Sequence, residues 1–115
     1  MSFKAKGRNY ERKLVQILKA NGWKSRRIPA SILDVIATKN DRIAVFEVKF
    51  TKKDKIKIDR RQIKNLFDWL NLFDYYKEKE AVIAVRFKNK EWVFRKVNNI
   101  SDYKIEYLNT SDWTP

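Results

Sequence analysis

The chain has 115 residues, of which 43% are hydrophobic and 36% charged, and 27 Lys+Arg against 14 Asp+Glu give a net charge of +13. That apolar share suffices for one core and excludes wholesale disorder, so the length is read as a single domain over 1–115, with 98–115 its least defined part. Zero cysteine and zero histidine exclude disulfide frameworks, thiolate or imidazole metal sites, and every catalytic triad built on histidine.

The spacing of Tyr10, Leu14, Val15, Ile17 and Leu18 predicts a helix over about 8–20, stopped by a left-handed Asn21-Gly22. Residues 23–28 read as a strand broken by Pro29. Residues 33–38 and 42–50 read as two strands joined by a tight turn around Lys39-Asn40. A second helix opens at Asp59, with Gln62 completing a capping box, and runs to about residue 76. Residues 81–87 and 92–97 form a further hairpin about Lys88-Asn89-Lys90, and the remainder reads as a short strand or tail. The order αβββαββ defines an α/β fold, a single mixed β-sheet with flanking helices. No segment offers the ~18 consecutive apolar residues of a membrane span. The first residues also lack the apolar core of a secretory signal, so the expectation is a cytoplasmic protein without a membrane partner.

The positive charge is concentrated. Residues 1–27 carry a net +8 and residues 47–64 a net +5, whereas 28–46 and 65–115 are neutral. Two basic blocks around a neutral one suit a polyanion, because each neutralised phosphate releases counterions. A solvated basic face with no partner is the plainer alternative.

Carboxylates fall where core residues are expected. Glu11, the only carboxylate before Asp34, lies inside the apolar face of the first helix, between Leu18 and Val15. In the strand 42–50, Ala44, Phe46, Val48 and Phe50 share one face, and Ile43, Val45, Glu47 and Lys49 the other. A turn centred between Lys39 and Asn40 sets Asp34 opposite Val45 and diagonal to Glu47. Two half-buried carboxylates on one face repel, so either one keeps a proton or a cation sits between them. Mg²⁺ suits such oxygen donors, with Mn²⁺ as the alternative. Lys49 points at the same spot. The competing readings are a Glu47–Lys49 or Asp34–Lys49 ion pair without chemistry, and a Glu11 that simply pairs with an arginine.

These residues resemble the PD-(D/E)xK nuclease superfamily and, within it, the archaeal-type Holliday junction resolvases. The resemblance rests on Lys6-Gly7, Glu11-Arg12, Arg26-Arg27, Ser31, Leu33-Asp34, Glu47-Val48-Lys49, the run Thr51-Lys52-Lys53-Asp54, Ala84-Val85-Arg86-Phe87, Trp92 and Phe94. It covers about residues 4–97 and leaves the tail unmatched. It implies a restriction-endonuclease-like nuclease core that cuts four-way DNA junctions as a Mg²⁺-dependent homodimer, with no small-molecule cofactor. Asp34, Glu47 and the Val48 carbonyl would hold the metal, Glu11 would complete the acidic site, Ser31 would lie near it, and Lys49 would serve the attacking hydroxide. Arg12, Arg26 and Arg27 would hold DNA phosphates, with Lys6, Arg8, Lys52, Lys53, Lys55, Arg60 and Arg61 contributing from the same basic blocks. Leu33 stands where the superfamily's motif has proline, and Ile32-Leu33 are apolar where polar residues are usual.

The second helix bears a wide apolar face. Ile63, Leu66, Phe67, Leu70 and Phe73 make one stripe, which Trp69, Leu72 and Tyr76 extend beyond half the circumference. The excess marks Leu66, Trp69, Leu70, Leu72, Phe73 and Tyr76 as a two-fold interface, unless the C-terminal tail covers it. The alternative functions are another nuclease or nickase of the superfamily, acting on duplexes, flaps or ends, and a non-catalytic nucleic-acid-binding protein.

Overall fold

A computed structural model describes residues 3–29, 33–108 and 111–115, with the side chains of 3–6 outside the description. Helix α1 (Phe3–Ala20) begins earlier than the apolar spacing implies. It stops as expected. Gly22 takes φ 89°, its N–H donates to the Lys19 carbonyl at 3.1 Å, and the Trp23 N–H donates back to Leu18 at 3.0 Å. This paired closure also packs Trp23 and Leu18 into the same core.

Strands β1 (Lys24–Arg27), β2 (Val35–Lys39) and β3 (Arg42–Thr51) follow, then β4 (Lys55–Ile58), helix α2 (Arg60–Leu70), β5 (Glu78–Phe87), β6 (Trp92–Val97) and β7 (Tyr103–Glu106). Five strands form the main sheet in the order β1-β2-β3-β5-β6. Among the described residues only β3 and β5 pair in parallel, and α2 lies in the crossover that such a pair needs. The central strands are buried on both faces. Leu14 and Leu18 of α1 pack with Ala44, Phe46 and Val82 on one side, while Ile63, Leu66 and Leu70 of α2 pack with Ile43, Val45, Ile83 and Val85 on the other.

Three expectations are corrected. The sheet is not single: β4, unforeseen, pairs antiparallel with β7 in a separate two-stranded ribbon, and Ile58 and Ile105 bury its inner face in the α2-side core. Helix α2 ends at Leu70 rather than near 76, because the chain turns through Asn71–Phe73 with N–H bonds to Phe67, Trp69 and Leu70. The capping box does not form as drawn. Asp59 does cap α2, accepting from the Arg61 N–H at 2.7 Å, but Gln62 turns its side chain elsewhere. No helix among the described residues is long and apolar enough to cross a membrane.

Candidate active site

Alternation along β3 sends Ile43 and Val45 into the α2-side core, and then puts Glu47 on the same face. The β2–β3 loop is Asn40-Asp41, with Asn40 at φ 53°, so Lys39 pairs with Arg42 and Ile36 with Val45. The paired register ends at Val35 opposite Phe46, and the bonds of Asp34 to Phe46 and Val48 set it beside that stretch of β3 rather than opposite Val45. The turn sits one residue later than expected, so the pairing shifts by two and the facing is preserved. Asp34 is anchored at both ends: its N–H donates to the Phe46 carbonyl at 3.1 Å, and its Oδ2 accepts from the Val48 N–H at 2.8 Å.

Glu47 is 5% exposed, and its Oε1 receives two donors, Lys49 Nζ at 3.1 Å and Gln62 Nε2 at 3.0 Å. Burial pushes the Glu47 carboxyl up to about 7; negative Asp34 pushes the same way, and Lys49 pulls back. Burial likewise raises Asp34, against the Val48 N–H and the charges of Lys49 and Arg27. On α1, Glu11 is also raised, first by burial and then by Asp34, although Arg27 Nε donates to its Oε1 at 3.2 Å. The arginine pairing considered for Glu11 therefore exists, and the residue still stands in the field of the other two acids. Desolvated like charges of this kind are unstable alone and favour a cation. Among the described residues, however, no three acidic side chains are gathered closely enough to cage an ion by themselves.

Tyr10 of α1 and Phe50 of β3 stack with ring centroids 4.5 Å apart. Arg12, Lys19, Arg26 and Arg27 line an open groove of about 370 Å³ between α1 and β1, with no carboxylate in its lining. Arg8, Lys52, Lys53, Lys55, Arg60 and Arg61 are all exposed, Arg61 in an ion pair with Asp59 at 3.3 Å. Ser31 and the side chain of Lys6 lie outside the described residues. The expected interface splits. Leu66 and Leu70 are buried in the chain's own core, and Trp69, Phe73 and Tyr76 pack half-buried against it, whereas Leu72 stays 72% exposed beside a fully exposed Tyr75.

Gln62 is the site residue that sequence reasoning assigned wrongly. Its spacing from Asp59 suggested a cap, but an exposed amide is satisfied by water, while a buried carboxylate oxygen needs a donor from the protein.

A mixed sheet with an E-x-K strand at its centre places the chain in the class of PD-(D/E)xK-type α/β nuclease folds. The family model for archaeal Holliday junction resolvase (Hjc) matches residues 2–111. The chain belongs to that family. It is 33% identical over 111 residues to the crossover junction endodeoxyribonuclease Hje of Sulfolobus acidocaldarius, spanning 90% of this chain and 78% of that protein. It is 37% identical over 100 residues to the crossover junction endodeoxyribonuclease of Sulfolobus islandicus rod-shaped virus 1, spanning 73% and 83% respectively. In fold it is similar to the Holliday junction resolvase Hjc of Archaeoglobus fulgidus, with TM-score 0.73 and 22% identity over 88% of this chain and 84% of that one. Membership of a nuclease family implies a requirement for a divalent metal.

Proposed function

We propose that this chain is a structure-selective endodeoxyribonuclease, a single domain over 1–115 that resolves four-way DNA junctions as a Mg²⁺-dependent homodimer. The observation that carries the reading is Glu47, buried on the central strand, with Asp34 bonded to the next residue's N–H and Lys49 on its oxygen. Two buried carboxylates that resist ionising together are a fitting donor set for a small hard cation, which shares its shell with main-chain and phosphate oxygens. Asp34, Glu47 and the Val48 carbonyl would hold it, with Glu11 the further acid. When bound, the ion supplies positive charge at the scissile phosphate and a more acidic water. Mn²⁺ would serve in the same donor set.

The rest falls to the chain's own groups. Lys49 Nζ, held by Glu47, places a cation where the attacking oxygen and the phosphate meet, and Gln62 fixes the same carboxylate from α2. Arg12, Arg26 and Arg27 grip the backbone, so specificity rests on the angle between duplex arms rather than on base edges. Ser31 is a proposed site residue on the family resemblance alone.

The test is cleavage of a synthetic mobile junction against linear duplex of the same sequence, with Mg²⁺, Mn²⁺ or chelator. Paired nicks in the junction alone, abolished by chelator, are the expected result. Equal cutting of the duplex would favour a general nuclease or nickase, and no cutting of any DNA a binding protein. Lys49→Ala should slow single-turnover cleavage about a hundredfold or more, the scale of a lost charge stabiliser. Calorimetry should show its Mg²⁺ binding retained, and unchanged single-turnover kinetics would reject the role.

For the dimer, Leu72 with Tyr75 is the exposed apolar pair beyond α2 and the natural centre of a two-fold contact. Leu72→Asp should convert a sedimenting dimer to a monomer with little change in its melting temperature, since the side chain is largely exposed in the single chain. A variant that sediments as wild type would move the interface elsewhere.

A further inference from the structure

The β4–β7 ribbon breaks a pairing rule on its outer face. Ile56 opposite Ile105 and Ile58 opposite Tyr103 turn inward, leaving Lys55 opposite Glu106 and Lys57 opposite Lys104 outside. Lys55 and Glu106 are the complementary pair a ribbon favours. Lys57 and Lys104 are like charges directly opposed, an arrangement that destabilises a ribbon. Lys104 has relief from Glu106 at 3.4 Å, whereas Lys57 is exposed and, among the described residues, has no ion-pair partner.

Both lysines line an open cavity of about 430 Å³ with Ile58, Asp59, Gln62, Asp102 and Tyr103. Its two carboxylates are engaged by the helix: Asp59 accepts from the Arg61 N–H at 2.7 Å, and Asp102 from the Arg60 N–H at 2.7 Å. The guanidinium groups of Arg60 and Arg61 are exposed at the same corner, so the balance of charge there is positive. Gln62 joins this cavity to the catalytic carboxylate, because the side chain that lines it donates to Glu47.

We propose that the groove between α2 and the β4–β7 ribbon is a second track for the DNA sugar-phosphate backbone, with Lys57 and Lys104 clamping a phosphate close to the one cut at Glu47. It lies apart from the groove between α1 and β1, and it rests on the resolvase reading only in taking DNA as the ligand. The repulsion between the lysines then persists because a phosphate between them relieves it.

The proposal predicts opposite signs for folding and binding. Lys57→Glu creates a complementary pair with Lys104, so its melting temperature should rise or stay level. Its affinity for a fluorescent four-way junction, measured by anisotropy in chelator, should nevertheless fall severalfold. The double variant Lys57→Ala, Lys104→Ala should bind more weakly than wild type at about 50 mM salt and lose less on going to about 200 mM, roughly threefold less for each missing contact, its log–log salt slope shallower by ~0.9 for each. If the charge-reversed protein melts lower than wild type, the alanine pair decides alone. An unchanged slope and affinity in that pair would overturn the proposal. Wild-type protein run on junction and on linear duplex keeps the two readings apart: equal binding sinks junction selectivity, while the lysine variants still report on the groove.

Discussion

Glu47→Gln should stop junction cleavage and yet, with metal removed, yield a protein more heat-resistant than wild type at pH 8. The two effects share a cause. Burial beside Asp34 lifts the Glu47 carboxyl from 4.5 to about 7, so the folded chain holds a proton that the unfolded chain has already released. Below pH 4.5 both states are protonated and the residue costs nothing. Between 4.5 and 7 the unfolded chain ionises first, and the folded state loses stability as pH rises. Above about 7 the whole penalty is present, about 3 kcal/mol for a shift of this size. Asp34 and Glu11 are raised as well and add in the same direction. Glutamine keeps the shape and an oxygen for Lys49 and Gln62 but carries no charge. In chelator its melting temperature should therefore exceed wild type by roughly 10 °C at pH 8 and match it near pH 4. Mg²⁺ should raise the wild-type value and leave the variant unmoved, since an ion stabilises only the protein that binds it. Asp34→Asn should likewise lose cleavage, with junction binding largely kept in both variants. A Glu47→Gln protein that cuts normally, or whose melting curve shows no pH-dependent gain, would remove Glu47 from the metal site.

What the sequence made legible follows from local periodicity. α1, β3, β5 and β6 carry apolar patterns that end in Gly, Asn or Lys-rich turns, and each lies close to its expected place. Glu47 and Lys49 were legible for the same reason, since alternation alone puts two charged residues on a face that begins with Ile43 and Val45. The misses are non-local. Lys55–Ile58 does alternate, but four residues inside a charged run become a strand only when β7 arrives to pair with them. The apolar spacing 66, 70, 73 continues smoothly past the end of α2, because Phe73 and Tyr76 fold back on the same core from a turn. Periodicity reports that a side chain is buried and not which backbone delivers it. Gln62 reads as a cap because local spacing shows only Asp59, whereas its partner Glu47 is set by the packing of α2 on β3.

The tail gives the second large effect, and it is the part of the chain where local pattern failed most completely. Trp113 is 5% exposed, wedged against Trp23, Phe46 and Phe94 with ring centroids 5.3–5.8 Å away. Its Nε1 donates to buried Glu80 at 3.3 Å, and Arg42 meets the same carboxylate at 3.1 Å while lying over the Trp23 ring. Residues 111–112 run along β6: the Phe94 N–H donates to Ser111 Oγ at 3.0 Å, the Lys96 N–H to Asp112 Oδ1 at 2.6 Å, and the Asp112 N–H to the Phe94 carbonyl at 3.1 Å. The tail thus seals the edge of the sheet, an edge that would otherwise invite pairing with another chain. Trp113→Ala empties a large hole in the α1-side core and should cost about 3–5 kcal/mol. For a chain of this length the melting temperature should drop by roughly 10–20 °C. Trp113→Phe, which keeps ring contacts but loses the bond to Glu80, should fall between. Arg42 and Glu80 sit where β3 and β5 begin, whereas Glu47 and Lys49 lie further along β3. Single-turnover cleavage well below the transition should consequently be close to normal in both variants. A Trp113→Ala protein that melts within about 2 °C of wild type would show that the tail is dispensable for the core.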